Sequence, residues 1–121
     1  MKIQIYTDGF DGWAKRARER AKAMDKSRAI SPSRGIAFEN AADMVRLLTP
    51  ARLDLIQTVK KRQISIPKLA ASLGRDPSAV RRDVDALEKF GIVSSRSVVN
   101  PGHGRMRMVS APVRIAISAE I

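Results

Sequence analysis

Residues 69–93, LAASLGRDPSAVRRDVDALEKFGIV, contain two helical patterns separated by a single glycine. The apolar residues of the first pattern recur at helical spacing and predict an inward face of Leu69, Ala70 and Leu73. Gly74 follows directly, and glycine at this position commonly ends a helix in the left-handed conformation. The stretch therefore predicts a tight corner between two short helices.

The second pattern carries both a helix-start and a helix-stop signal. Asp76 is an N-cap residue, Pro77 suits the first helical position, and Gly91 ends the pattern. Four apolar residues at helical spacing predict the inward stripe, namely Val80, Val84, Leu87 and Phe90. Arg81 and Arg82 therefore fall on the outward face of this helix.

Two further helices are predicted upstream. Asn40 is the N-cap candidate for the first, and Thr49 with Pro50 begins the second. The apolar edge of the first consists of Met44, Val45 and Leu48. The second is expected to bury Leu53, Ile56 and Val59 and to cover Leu55 in part. Ser65 or Ile66 then caps the helix that ends at Gly74.

The residues after Gly91 predict strands. IVSSRSVV (92–99) and MRMVSAPVRIAIS (106–118) are rich in β-formers. NPGHGR (100–105) joins them, and its proline and glycines suit a hairpin turn. A further strand is expected in the tail, where Val113, Ile115 and Ile117 alternate.

The first 37 residues predict an N-terminal extension. KIQIY (2–6) alternates like a short strand, and FDGWAKRARERAKAMDKSR (10–28) predicts a basic amphipathic helix. SRAISPSRG (27–35) predicts a linker. We therefore expect an extension at residues 1–37 and a main domain at residues 38–121 that includes the C-terminal strand.

Charge is the strongest global signal in the composition. The 121 residues include 23 Lys and Arg against 12 Asp and Glu, which gives a formal charge of +11. A field of this sign attracts polyanions such as DNA and RNA. The chain has no cysteine and a single histidine, which excludes thiolate zinc sites and paired imidazoles. With no signal-peptide core and no membrane-length apolar run, a cytoplasmic protein is expected.

Three segments together resemble the winged helix-turn-helix regulators of the MarR-like branch. They are LTPARLDLI (48–56), SIPKLAASLGRDPSAVRRDVDALEKFGIV (65–93) and SSRSVVNPGHGRMRMV (94–109). The resemblance spans about residues 38–111. It implies an α+β, mainly α fold, with residues 77–90 as the recognition helix and the hairpin as the wing.

The resemblance also implies which residues contact double-stranded DNA. On the recognition helix they are Arg75, Ser78, Ala79, Arg81, Arg82 and Asp85. Arg82 is the first candidate for base reading, because arginine pairs with guanine through two hydrogen bonds. Ser65 and Lys68 on the supporting helix, together with Arg75, are expected to hold phosphates. The wing contacts are expected to be His103, Arg105 and Arg107.

Plainer interpretations compete with some of these roles. Arg81 and Asp85 are four residues apart and could form a local ion pair on a solvated helix. Asp83, Asp85 and Glu88 raise the alternative of a metal-dependent nuclease, but their spacing around the helix favours ion-pair partners. We expect no metal, no cofactor and no enzymatic activity, because no nucleophile–base pair or metal-ligand set is present.

The apolar side of the N-terminal helix and the tail are expected to contact the protein's own core, a second subunit or another partner. The alternatives for the basic face of the helix are an additional DNA arm and an anionic-membrane binder. The residues assigned to this contact are Phe10, Trp13, Ala17, Met24, Val113, Ile115 and Ile117. The strands at 2–6 and 113–118 are candidate edges for pairing between subunits. A homodimer is expected because a two-fold assembly reads two half-sites.

The expected function is that of a sequence-specific DNA-binding transcriptional regulator, specifically a repressor. One version is an antitoxin-type autorepressor that also binds a toxin. An RNA-binding or ribosome-associated winged helix is an alternative, although few aromatic residues are available for stacking. The other alternative is a protein-interaction module whose basic face binds an acidic partner.

Overall fold

The computed structural model describes residues 2–7, 9–25, 33–111 and 114–118. Within them the elements are β1 (Lys2–Tyr6), α1 (Gly9–Asp25), β2 (Ser33–Ala37), α2 (Ala41–Leu47), α3 (Pro50–Lys61), β3 (Ile64–Ser65), α4 (Ile66–Leu73), α5 (Pro77–Lys89), β4 (Ser94–Val99), β5 (Arg105–Ser110) and β6 (Arg114–Ser118). Contacts group them into two compact units. Unit 1 comprises Met1–Arg46 and Arg114–Ile121, and unit 2 comprises Leu47–Val113.

Unit 1 contains a parallel three-stranded sheet of order β2-β1-β6. Its central strand buries Ile3 and Ile5 completely, as the alternation of KIQIY predicts. Ile5 lies in register with Ile36 on one side and Ile117 on the other. The guanidinium of Arg16 on α1 lies over the ring of Tyr6, 3.2 Å from its centroid.

This sheet changes three expectations drawn from the sequence. β1 is the central strand of a sheet within one chain, so the expectation that residues 2–6 form a free edge is wrong. Residues 33–35 belong to β2, although their proline- and glycine-rich context predicted a linker. The contacts group β6 with residues 1–46, whereas the sequence placed it with residues 38–121. Pairing between distant strands decides all three, and local composition does not encode it.

Unit 2 follows the start and stop signals of the sequence closely. The hydroxyl of Thr49 accepts a hydrogen bond from the backbone N–H of Arg52 at the start of α3. The carboxylate of Asp76 accepts from the N–H of Ser78, at 2.7 Å, at the start of α5. Gly74 ends α4 with a φ of 63°, the left-handed conformation that glycine adopts without steric cost. In unit 1, Asn40 caps the start of α2, because its side-chain oxygen accepts a hydrogen bond from the backbone N–H of Asp43.

The core of unit 2 is aliphatic. Its fully or almost fully buried side chains are Leu55, Ile56, Val59, Ile64, Ile66, Leu69, Ala70, Val80, Val84, Leu87, Ile92, Val93 and Val109. The predicted inward residues of α5 are confirmed except for Phe90, which is exposed at the helix C-terminus. The chain turns at Gly91, which has a φ of 76°, and Ile92 directly after it is fully buried.

Two other helices are rotated relative to the expected faces. On α3, Leu55 is 0% exposed and Leu53 is 39% exposed, the reverse of the predicted order. On α2, Val45 is exposed, and Leu47 is buried in addition to Met44 and Leu48. Leu53 and Leu55 are both apolar but lie on different faces of the helix, so the sequence pattern fits either face and the packing partner decides which one is buried.

The β4–β5 hairpin forms an antiparallel sheet of order β3-β5-β4 with the short strand β3. At its turn, the N–H of Asn100 donates to the carbonyl of Gly104 at 2.7 Å. Gly102 and Gly104 both have positive φ, at 79° and 77° respectively, which explains the two glycines in NPGHGR. The predicted hairpin is confirmed.

Among the described residues, no helix has the length and apolar character needed to cross a membrane.

The burial of Leu55 and the exposure of Leu53 on α3 can be tested with a pair of variants. Leu55→Ala should lower the free energy of unfolding by about 2–5 kcal/mol, because it leaves a cavity in the core. Leu53→Ala should lower it by about 1 kcal/mol or less. Urea unfolding followed by circular dichroism measures both. Equal losses for the two variants would contradict this packing of α3.

Candidate nucleic-acid interface

The helix α5 is held in unit 2 by one apolar stripe. Val80, Val84 and Leu87 are fully buried, and they point the opposite side of the helix outward. Arg81 and Arg82 lie on that side and are exposed. Within the described residues the side chain of neither arginine has an ion-pair or hydrogen-bond partner. Ser78 is also exposed, and Ala79 is half-buried.

One flank of α5 is tied to the rest of the unit through Asp83. Its Oδ1 accepts from Nε of Arg52 on α3 at 3.1 Å, and its Oδ2 accepts from Nη1 of Arg75 at 2.6 Å. Arg52 also donates to the carbonyl of Leu47 at 3.0 Å. All three charged side chains are partly buried, which strengthens their attraction relative to a pair in open solvent. Arg75 is therefore occupied inside the protein, although the sequence assigned it to phosphate.

The other flank of α5 is tied to the hairpin through Arg107 of β5. Its Nη1 donates to Oδ1 of Asp85 at 2.7 Å, and its Nη2 donates to Oε2 of Glu88 at 2.5 Å. Its Nε donates to the hydroxyl of Ser95 on β4 at 2.9 Å. Ser95 in turn donates to Glu88, so the four side chains form one network, the α5–wing network.

This network shifts two pKa values. The Ser95 hydroxyl does most to lower the pKa of Glu88 below its ordinary value of 4.5; partial burial opposes the change, and Arg107 adds to it. For Arg107, partial burial acts to lower the pKa, but the bonds to Asp85 and Glu88 outweigh it and raise the pKa above its ordinary range. Both shifts favour the charged forms at neutral pH.

Asp83, Asp85 and Glu88 are thus ion-pair partners, as their spacing suggested. Asp85 pairs with Arg107 and not with Arg81, the local partner that the sequence offered. Among the described residues, no group of three or more histidine, cysteine or carboxylate side chains is arranged to hold a metal ion.

The remaining predicted site residues lie on α4 and the hairpin. Lys68 is exposed near the start of α4, but Ser65 is only 4% exposed and is paired with Met108 of β5. Ser65 occupies the N-cap position without a side-chain capping bond. Burial makes Ser65 a poor phosphate contact, and its place in a two-residue strand was not visible from local sequence.

At the hairpin, His103 and Arg105 are exposed. Arg105 donates from Nε to the hydroxyl of Ser97 at 2.8 Å and from Nη2 to the Ser97 carbonyl at 3.3 Å. These bonds stay within the hairpin and leave Arg105 on the surface, so the wing presents this arginine and His103 to solvent.

The structure also shows functional candidates that the sequence analysis missed. Arg52 and Ser95 contribute to the two ties of α5, yet Arg52 lies 31 residues from Asp83 in the chain. Arg62 and Gln63 lie beside Lys68 at a depression of about 140 Å³, and Gln63 accepts a bond from Arg96. The basic run KKR at 60–62 was the only sequence signal for the second group.

Those of the expected subunit contacts that the structure describes lie in unit 1. Trp13 and Ala17 of α1 are exposed, as is Ile117 of β6, and Ile115 is half-buried. Phe10 and Met24 also lie in α1. Val113 lies outside the described residues.

Three helices with a tight corner, a presented third helix and a hairpin beside it define a winged helix-turn-helix protein of the α+β class. The expected fold is confirmed. The sequence profile of the HVO_A0114 family matches residues 47–112, and the chain belongs to this family.

Similar folds occur among solved structures. A possible transcriptional regulator from Methanosarcina mazei Go1 has 25% sequence identity and a TM-score of 0.50, over 56% of this chain and 61% of its own. The zinc-responsive MarR family member ZitR of Lactococcus lactis has 17% identity and a TM-score of 0.47, over 53% and 43% of the two chains.

A third similar structure is the homodimeric winged helix-turn-helix DNA-binding domain of a possible ArsR-family regulator from Mycobacterium bovis. It has 14% identity and a TM-score of 0.45, over 60% of this chain and 70% of its own. The present chain spans about 61% of the length of the Methanosarcina protein. A search of curated proteins found no match.

The ion pairs of Asp83 with Arg52 and Arg75, which tie α5 to the rest of unit 2, predict an effect on the free energy of unfolding. Asp83→Asn leaves two partly buried guanidiniums without their carboxylate and should lower the free energy of unfolding by about 1–3 kcal/mol. Asp54→Asn removes an exposed carboxylate on α3 and serves as the matched control, with an expected change within about 0.5 kcal/mol. Urea unfolding measures both, and a loss for Asp83→Asn no larger than the control would show that the tie contributes nothing.

The lowered pKa of Glu88 predicts a pH dependence. A carboxylate whose pKa is depressed in the folded state contributes stability above its unfolded pKa and loses it as pH falls through the folded value. The free energy of unfolding should therefore fall as pH decreases below about 4.5, and Glu88→Gln should flatten this decline. Urea unfolding at a series of pH values measures it; an identical slope in wild type and Glu88→Gln would refute the assignment.

Proposed function

We propose that this protein is a sequence-specific, double-stranded DNA-binding transcriptional regulator that uses α5 as its recognition helix. One observation carries the proposal: α5 is tied at both flanks, by Asp83 and by the α5–wing network, while Arg81 and Arg82 are left exposed. An α-helix fits the major groove of B-DNA, where base edges differ in their donors and acceptors. The proposed activity is binding, with no enzymatic step.

The chemistry of the exposed face suits this role. Arg82 is proposed to read a base, since a bidentate arginine–guanine pair is worth about 1–3 kcal/mol of discrimination. Arg81 is proposed to contact a base or a phosphate, and Ser78 lies at the helix N-terminus, where side chains reach base edges first. Lys68, His103 and Arg105 are proposed to hold the phosphate backbone on either side.

Charge and similarity support the proposal independently. The formal charge of +11 favours a polyanionic partner. The Methanosarcina protein, whose fold is similar over part of the chain, is described as a possible transcriptional regulator.

We further propose a homodimer formed through unit 1. Among the described residues the outer edge of β6 has no neighbouring strand, and its Ile117 is exposed. An open edge with apolar side chains is a template for a strand of a second copy. Two copies would read two half-sites about one helical turn apart.

Repression of its own promoter is the form of regulation that we propose. Footprinting on the DNA upstream of its gene tests this, with protection of an inverted repeat as the expected result. That the protein also binds a toxin stays a prediction, which co-purification with a neighbouring gene product would test.

The recognition role of α5 has a direct test. Arg82→Ala should weaken binding to the protected duplex by about 1–3 kcal/mol and relax base preference at one position of each half-site. Lys89→Ala, at the other end of α5, removes an exposed charge of the same sign and is the matched control. Fluorescence anisotropy with single-substitution duplexes measures both variants.

Other outcomes would overturn the proposal. Equal base preference in wild type and Arg82→Ala would remove α5 from sequence reading. Tighter binding of a structured RNA than of the upstream duplex would favour the RNA-binding alternative.

A further inference from the structure

Arg107 is the most fully bonded guanidinium of the hairpin. Each of its three nitrogens has its own acceptor: Asp85, Glu88 and Ser95. A planar guanidinium fork that satisfies two carboxylates and a hydroxyl is held in a single geometry. A phosphate that approached Arg107 would have to displace one of these partners.

The bonds of Arg107 connect two elements that are separate in sequence. Asp85 and Glu88 lie on α5, 22 and 19 residues before Arg107 on β5. Ser95 on β4 closes the network by bonding to both Arg107 and Glu88. The recognition helix and both long strands of the wing therefore share one set of polar bonds.

The network also acts on the charge of α5. Asp85 is 60% exposed and lies three residues from Arg82, on the side proposed to face DNA. An uncompensated carboxylate there would repel phosphate. Arg107 places a positive charge 2.7 Å from it, so the arginine of the wing neutralises this part of α5.

Arg105 lies on the same strand as Arg107 but has different bonding partners. Side chains two residues apart in a strand share a face, so Arg105 projects on the same side of the hairpin as Arg107. Among the described residues its side chain bonds to Ser97, within the hairpin. One arginine is thus an anchor to α5, and the other is presented beside it.

We propose that Arg107 is a positioning residue that fixes the wing against the recognition helix, while Arg105 makes the phosphate contact. This inference rests on the proposed DNA-binding function and reverses the role that the sequence suggested for Arg107. Its consequence is that Arg107 contributes to discrimination between DNA sequences and not to the count of neutralised phosphates.

The salt dependence of binding separates these two roles. Each phosphate contact contributes about −0.9 to the slope of log affinity against log salt concentration. Binding is measured by anisotropy, over a series of KCl concentrations, to the duplex protected upstream of the gene and to a shuffled duplex of equal length and composition. The variants are Arg107→Gln, Glu88→Gln and, as the matched control on β5, Arg105→Gln.

We expect Arg107→Gln to weaken binding to the protected duplex about tenfold or more, because a recognition helix that is no longer fixed against the wing loses part of its contacts to base edges. Its affinity for the shuffled duplex should fall much less, only through repulsion from the uncompensated Asp85, and its salt slope should stay close to the wild-type value. Arg105→Gln should weaken both duplexes equally and reduce the magnitude of the slope by about 0.9. Glu88→Gln should resemble Arg107→Gln, although it keeps the arginine available to DNA.

Glu88→Gln also serves where Arg107→Gln fails to fold, as judged by circular dichroism and thermal unfolding. A slope change in Arg107→Gln like that of Arg105→Gln would make Arg107 a phosphate contact and overturn the inference. So would tighter binding of both duplexes by Glu88→Gln, or unchanged specific binding by both network variants. If the wild type does not distinguish the two duplexes, the proposed function fails first, and the inference fails with it.

Discussion

Asp83 lies between two guanidiniums that arrive from different parts of unit 2, Arg52 on α3 and Arg75 at the corner before α5. Breaking these ion pairs would leave partly buried charges without a partner. The free-energy cost of such charges is larger than the stabilisation that an exposed ion pair provides. The two ion pairs therefore hold α5 to α3 and to the corner before α5. The buried stripe of α5 decides which side of the helix faces outward, and the ion pairs of Asp83 hold one flank of the helix in that orientation.

The opposite flank of α5 is also held by ion pairs. Asp85 and Glu88 are bonded to Arg107, so the three acidic residues of α5 are all compensated by arginines from other elements. The two arginines that belong to α5 itself then face outward. A strongly basic chain can in this way use part of its charge for internal geometry and present the rest on one helix face.

The two units differ in how readily sequence reasoning reaches them. In unit 2, Thr49, Asp76 and Gly74 act through bonds within a few residues, and each was predictable from its type and position. The face of α3 was not, since Leu53 and Leu55 are both apolar and only the packing partner selects Leu55. In unit 1, the partner strands of β1 begin 31 and 112 residues away, and no local pattern records that pairing.

For the candidate site, the order of residues was enough to establish that a capped helix follows a glycine corner and carries Arg81 and Arg82 opposite an apolar stripe. Helical periodicity and capping are local properties, so they can be worked out from neighbouring residues. Packing in three dimensions was needed to learn that Arg75 and Arg107 bond within the protein and that Ser65 is buried. An exposed arginine and an ion-paired one have the same local sequence, because the partner that distinguishes them comes from elsewhere in the chain.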